Sequence, residues 1–301
     1  FVPSGTTVYI DGGARVYGNI FTEGAHDVNI FGRGEVHPDG RGAGVWVRRS
    51  KNVRIDGIVV SQLPIGQCDS VELTNVKSIS YYGWGDGMDV FSSSNVILDG
   101  VFCRNSDDCA AVYASTQGFK GGSNNVLVKN ATLWADVAHP INIGGHGDPN
   151  GMDTVQNVTF RNIDILDQAE KQIDYQGCLA INPGDNTLVR NITFENIRIE
   201  DFRNGQLVNF RISFNPKYCV STGRGIQNVL VKDVTYNGSG ENLSIIAGYD
   251  ENHKISGIRF VNLVVNGRKI TDDMPGKPKW YKTGDMAGIF VGEHVENLSF
   301  E

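Results

Sequence analysis

Short apolar-x-apolar pairs recur along the whole chain, each led by Asn or another small polar residue and followed, after a polar turn, by a second such pair. The clearest copies are "KNVRIDGIVV" from Lys51, "SNVILDGVF" from Ser94, "NNVLVKNATLW" from Asn124, "QNVTFRNIDIL" from Gln156, "RNITFENIRI" from Arg190, "QNVLVKDVTY" from Gln227 and "SGIRFVNLVV" from Ser256. Weaker copies start at His26, Cys68 and Glu296, making ten. Their lead apolar positions are 28, 53, 71, 96, 126, 158, 192, 229, 258 and 298, spaced 18 to 40 residues apart. Period-2 alternation predicts short strands with one buried face. The Asn, Asp or Gly between paired strands tolerates the left-handed backbone of a sharp bend. A single such unit cannot bury its apolar face, but stacked units share a core. The pattern therefore predicts an all-β chain folded as a single-stranded parallel β-helix, read as one domain over residues 1–301. The recurring Asn52, Asn95, Asn125, Asn157, Asn191 and Asn228 predict a hydrogen-bonded amide ladder along the stack. The rival is a two-sheet sandwich, which would place Asn-Gly turns between matched strands; Asn204-Gly205, Asn237-Gly238 and Asn266-Gly267 are not so placed. No segment shows helical periodicity with caps.

Stacking makes coil length a ruler. Residues one coil apart lie on neighbouring strands, ~4.8 Å apart. In "GWGDGMDVFSSSNVILDGVFCRNSDDCAAVY", Asp86 precedes Asp107 by 21 residues and Asp108 by 22, within the local coil lengths of 18 and 25. These three carboxylates are expected side by side. His139, 31 residues beyond Asp108, is expected one coil further in the same line. Crowded carboxylates repel one another and split their proton affinities. Glycosidases obtain an acid and a base from one residue type in this way; binding a hard cation such as Ca²⁺ is the other use. Asp89 is expected to be inward or structural, and His146 a turn residue.

Composition narrows the partners. Lys and Arg total 27 against 34 Asp and Glu, a net charge of −7, and no basic stripe suggests nucleic acid. No apolar run is long enough to span a membrane. Five cysteines without a C-x-x-C pair read as buried thiols, with a Cys103–Cys109 pairing as the alternative. The expected partner is a polysaccharide or oligosaccharide bound by a monomer, with no metal and no cofactor. The chain starts at Phe1, as expected of a processed protein that is secreted or periplasmic.

The motifs resemble the polygalacturonase family, glycoside hydrolase family 28, as a divergent member. "WGDGMDV" (84–90) is similar to its Asn-Thr-Asp-Gly-x-Asp, "SDDCAAV" (106–112) to its Asp-Asp-Cys-x-Ala, and "AHPINIG" (138–144) to its Gly-His-Gly-x-Ser-Ile-Gly. The resemblance implies a right-handed, pectin lyase-like β-helix and hydrolysis of a pectin-type polysaccharide with inversion. It implies Asp107 as general acid, Asp86 and Asp108 as the water-activating pair, and His139 as the neighbour that tunes the acid's proton. The family's Arg-Ile-Lys has no counterpart: "Ala180-Ile181-Asn182" stands in its place. A neutral sugar or a decorated pectin fragment is then as fitting as plain polygalacturonate. Asn182 and Arg211 are candidate sugar contacts, with Trp84 and Tyr113 as aromatic platforms. The competing readings are a Ca²⁺-dependent β-helical lyase, a dextranase-type hydrolase, and a non-catalytic carbohydrate-binding β-helix.

Overall fold

The computed structural model describes residues 1–240 and 242–301. They form a parallel β-helix with two long sheets, one of seventeen strands and one of ten. The ten lead apolar positions fall into one column. Val28 pairs with Val53, Val53 with Val71, Val71 with Val96, and the column continues through Val126, Val158, Ile192, Val229 and Ile258 to Leu298. Aromatic residues stack in the same manner, with Phe160 over Phe194 at 5.9 Å and Phe260 over Phe300 at 4.8 Å. Each fully buried side chain of this size contributes about 1.5–3 kcal/mol, so like-on-like stacking of one column carries much of the fold's stability.

The two strands expected per coil are separate in the earlier coils, as Lys51–Asp56 with Val59–Val60 and Ser94–Asp99 with Phe102–Asn105, and run on as one from residue 123 onward. Ser123–Ala135, Thr154–Gln168 and Leu188–Ile199 are continuous strands. Each bends midway at a left-handed asparagine, Asn130 (φ 54°), Asn162 (φ 56°) or Asn196 (φ 54°). The ladder resumes immediately after the bend, pairing Lys129 with Arg161 and then Ala131 with Ile163. The asparagines at the strand starts are left-handed as well, from Asn52 (φ 52°) to Asn228 (φ 55°). Their amides form the expected ladder in part: Asn125 donates to Asn95 at 2.7 Å, Asn191 to Asn157 at 3.2 Å and Asn228 to Asn191 at 3.3 Å, while Asn52 and Asn95 donate to Asp27 and Asp69, and Asn157 to Asn124. A second ladder, not foreseen, runs through the bends: Asn130 donates to Asp99 at 2.7 Å and Asn162 to Asn130 at 2.7 Å.

Asn266-Gly267 does close a hairpin, between Ile255–Val265 and the three-residue strand Arg268–Ile270. All five cysteines are free, four of them buried and Cys219 half-buried. Among the described residues, no helix is long and apolar enough to cross a membrane.

The ten-stranded sheet positions the site. Its strands Met88–Phe91, Ala110–Tyr113 and Ile141–Ile143 are stacked in register, Met88 beside Ala110 beside Ile141. Residues two positions before these anchors therefore also stack, and they are Asp86, Asp108 and His139.

Candidate active site

Asp86 enters its strand through Gly87. Backbone bonds from Gly87 N to the Asp108 carbonyl (2.7 Å) and from Met88 N to the Cys109 carbonyl (2.9 Å) clamp the two coils together. A Cβ at position 87 would lie 2.2 Å from the Cys109 oxygen, so only glycine allows this approach. Asn105, wholly buried, braces the corner by donating to Ser78, Ser80 and the Asp86 carbonyl. Carboxylate oxygens of Asp86, Asp107 and Asp108 consequently lie within 4.8 Å of one another. They line an open cleft of about 670 Å³ together with Trp84, Tyr113, Glu170, Tyr175, Lys217 and Tyr218.

The three acids are not equivalent. Asp108 is buried, and all four of its acceptor positions are engaged. Oδ1 accepts from the His139 backbone N–H (3.0 Å) and from Nδ1 of the His139 ring (2.7 Å). Oδ2 accepts from the Tyr113 hydroxyl and from Asn142 Nδ2 (2.8 Å). Burial pushes the Asp108 proton affinity up, but the His139 charge and the hydrogen bonds from His139, Tyr113 and Asn142 outweigh it and hold the group below the ordinary value. Asp107 is raised to about 8, first by burial and then by Asp108 and Asp86. Asp86 is raised to about 7 by burial and by Asp108. No side-chain donor reaches the Asp86 carboxylate among the described residues, so it is open to a ligand. One carboxylate is locked in the charged state, while two at its side hold protons near neutrality.

Several expectations need correction. Asp89 faces outward onto the cleft floor with Phe91, while Met88 and Val90 take the inward positions of that strand and belong to the core. Its Oδ1 has no hydrogen-bond partner, and burial followed by the charges of Asp86, Asp108 and Asp107 holds it well above the ordinary value. His139 is fully buried and does not line the cleft. It bonds Asp108 rather than the expected acid Asp107, because backbone register sets it beside Asp108, and Tyr175 packs edge-on against it at 4.3 Å. Asp108, expected to form a water-activating pair with Asp86, has no free acceptor position for a water.

Among the sugar-contact candidates, Trp84 stands at the cleft rim, 75% exposed, on a left-handed backbone (φ 57°). Tyr113 lines the cleft with its ring stacked on Phe91 at 5.9 Å, and its hydroxyl is consumed by Asp108. Asn182 lies outside, in a cavity of about 40 Å³ behind Tyr113 and Tyr175, and donates to Asn209 Oδ1 at 3.0 Å. Arg211 lines neither space; its strand Val208–Arg211 lies two coils beyond Ile141–Ile143, too far along the stack.

The structure adds residues the motifs did not indicate. Lys217 is the one cationic side chain that lines the cleft among the described residues. Its Nζ donates to Gln172 Oε1 at 3.2 Å and sits 4.8 Å from the Tyr218 ring. Tyr218 stacks on Tyr175 at 4.9 Å. Both Lys217 and Tyr218 belong to a loop outside the repeat. His146, expected as a turn residue, lines the cleft and meets Tyr113 edge-on at 5.0 Å. Arg104, the one basic residue between Asp86 and Asp108 in sequence, lies away from the cleft, against Trp134 and Asp136.

Residues 46–274 match the family model described as glycosyl hydrolases family 28. A polygalacturonase of Juniperus ashei is 26% identical over 216 residues, 69% of this chain and 39% of the relative. A probable endo-xylogalacturonan hydrolase A of Neosartorya fischeri is 29% identical over 164 residues, 54% of this chain and 38% of the relative. The chain thus spans less than half the length of these curated relatives. Among solved structures, the family 28 exopolygalacturonase of Yersinia enterocolitica aligns with a TM-score of 0.70 at 13% identity, over 99% of this chain and 70% of that one. At that identity the likeness is one of fold.

Proposed function

Because the chain belongs to glycosyl hydrolase family 28, we propose that residues 1–301 act as one glycoside hydrolase domain that cleaves a pectin-type plant polysaccharide or oligosaccharide. The observation that carries this reading is the split acid trio. Asp107, protonated up to about pH 8, protonates the leaving oxygen. Asp86, open to the cleft and raised only to about 7, takes the proton of an attacking water in its ionised form. Asp108 stays charged, held by His139, Tyr113 and Asn142 as its positioning residues, and its charge keeps the proton on Asp107. Asp89 adds a further group with raised proton affinity to the cleft floor and keeps the field around the acid unfavourable to ionisation. Action on such a polymer implies a site of work outside the cytoplasm, in the periplasm or the medium.

The substrate follows from the charge of the cleft. Five acids line it, Asp86, Asp89, Asp107, Asp108 and Glu170, against the single cation Lys217. That balance supports a decorated or alternating pectin fragment that presents one uronate carboxylate to Lys217 and neutral sugar elsewhere. Trp84, Tyr175 and Tyr218 offer rings for apolar sugar faces.

We propose single displacement, with inversion, for the reaction. Its support is that Asp108 has no free lone pair to act as a nucleophile while Asp86 is open to water. The retaining reading also has an observation in its favour. Nearest oxygens within 4.8 Å are closer to the ~5–5.5 Å of double-displacement enzymes than to the ~6.5–9.5 Å usual for inversion. Proton NMR of the first product from a defined oligosaccharide separates the two: inversion requires the anomer opposite to the substrate's, and the same anomer would establish a covalent intermediate. The lyase reading gains Lys217 as the one Lys or Arg on the cleft among the described residues, but the adjacent Tyr218 holds its ammonium above the ordinary value, which suits a bound cation and not a base. A pectin panel followed by reducing-end and unsaturated-product assays tests the function. Reducing ends without unsaturated product are expected; no cleavage of any member would refute the hydrolase reading.

A further inference from the structure

Behind the cleft wall, three separate loops bring together a second set of donors that the hydrolytic reading does not use. His146, Asp185 and Cys219 each offer one ligand atom, and these atoms lie within 4.8 Å of one another. The set is mixed, one imidazole nitrogen, one carboxylate oxygen and one thiol sulfur, which is the donor chemistry of zinc and similar borderline cations. Among the described residues no protein group hydrogen-bonds the His146 ring nitrogens, although the residue is partly buried. Asp185 is buried. Its Oδ1 is held by the backbone N–H groups of Val220 (2.8 Å) and Ser221 (3.2 Å), which turns Oδ2 free for a ligand, as orienting contacts do around metal-binding carboxylates. Cys219 is the one cysteine that is not fully buried. Its Sγ makes only a 3.2 Å contact to the Gly145 carbonyl, the residue next to His146.

We propose that His146, Asp185 and Cys219 form a binding site for one zinc-class divalent cation. Tetrahedral zinc with bonds of about 2.0–2.3 Å holds its donors ~3.5 Å apart, so side-chain movement of about an ångström completes the site, with water as the fourth ligand. Binding deprotonates the Cys219 thiol and releases that proton to solvent; no oxidant is involved. The role is a clamp. Residues 213–224 carry Lys217 and Tyr218 into the cleft, and the remaining tie of this loop to the coils runs through backbone bonds such as Asp185 N to the Ser221 carbonyl (3.0 Å) and Asn186 N to the Thr222 carbonyl (2.8 Å). A cation on Cys219 and His146 would fix that loop against the ring that packs on Tyr113.

The test uses the tag-free chain, chelator-stripped and kept reduced, with Co²⁺ and Zn²⁺ as probes. Co²⁺ is expected to give a thiolate-to-cobalt charge-transfer band that saturates at one equivalent and is displaced by Zn²⁺, and Zn²⁺ should raise the melting temperature. Cys219→Ser should abolish the band. His146→Gln should weaken binding by more than the ~10–100-fold that loss of an outer partner costs. The acid trio offers only oxygen donors and gives no such band, so binding there is not mistaken for this site. Absence of the band, or a band that survives Cys219→Ser, overturns the proposal. Should Cys219→Ser not fold, His146→Gln decides alone: an unchanged Co²⁺ affinity refutes the site.

Discussion

Two polar columns run along the same stack and have opposite energetics. On the outer edge, asparagines at the starts and bends of the long strands donate amide to amide, coil after coil. They are neutral and exposed, and each satisfies its neighbour. On the cleft side, Asp86, Asp108 and His139 occupy an equally regular register, with Asp107 and Asp89 adjoining. There the like charges are buried, and two members are forced to hold protons near neutral pH. A β-helix copies any residue's neighbourhood into the next coil, so a favourable group is multiplied and an unfavourable one is too. The cleft column persists where its unfavourable energy is useful, as a set of acids with separated proton affinities.

The strongest way to break this contrast is Asp107→Asn. The proposed acid is removed with little change in shape, so hydrolysis should fall by about 10²–10⁴-fold in reducing-end assays. The same change should relieve repulsion. A carboxyl whose folded proton affinity is raised to about 8 binds more protons folded than unfolded across pH 4 to 8. Stability is therefore complete below about pH 4 and falls as pH rises towards 8. The variant should lose part of that slope and melt higher than the native chain at pH 8, with little difference at pH 4. Thermal unfolding across this range checks it, and a variant that melts lower at pH 8 would show that Asp107 is not held protonated by its surroundings.

How much of the contrast is legible in sequence follows from which residues repeat. The lead column, the amide ladder and the adjacency of Asp86 to Asp107 and Asp108 depend only on coil length, which the apolar pairs mark. Asp89 was hidden because its strand, Met88–Phe91, is buried on both faces, so alternation gave no sign of which side it took. His139 was aligned correctly along the stack, but its cover, Tyr175, arrives from a 3₁₀ turn at Ile173–Tyr175 with no repeat signature. Lys217 sits in a loop of the same kind. Asn182 stands at the family motif's position but bonds Asn209 beside a separate cavity, and Arg211 lies on a strand two coils beyond Ile141–Ile143. Loops, which vary between coils, carry what pattern reading cannot place.

Smaller perturbations sharpen the comparison. Tyr113→Phe keeps the ring that lines the cleft and deletes one donor to Asp108. A hydrogen bond to a charged group is worth about 1.5–3 kcal/mol, so kcat should fall roughly tenfold or more with KM nearly unchanged. A rise in KM alone would instead mark Tyr113 as a sugar contact. Lys217→Met should weaken uronate-bearing substrates by up to about fivefold in kcat/KM, the scale of one exposed charge contact, and leave neutral oligosaccharides nearly unchanged. Equal losses on both would remove Lys217 from carboxylate recognition.

The smallest effect tests the favourable column. Asn157 donates to Asn124 Oδ1 at 2.8 Å, accepts from Asn191 at 3.2 Å, and holds φ 55°. Replacement by Gly keeps the left-handed backbone available and deletes the amide, while replacement by Ala deletes the amide and strains the backbone as well. Ladder bonds between exposed neutral groups are worth about 0.5–1.5 kcal/mol each, and left-handed backbone costs a residue with a Cβ about 1–2 kcal/mol. Asn157→Ala should therefore be less stable than Asn157→Gly by about 1 kcal/mol in denaturant titrations, with hydrolysis unchanged in both. Equal losses would mean that asparagine recurs here for its amide alone; a loss confined to Ala would mean that it recurs for its backbone. The expected split between them is the reason the same residue can be repeated through the stack, whereas the carboxylates are confined to the coils that form the cleft.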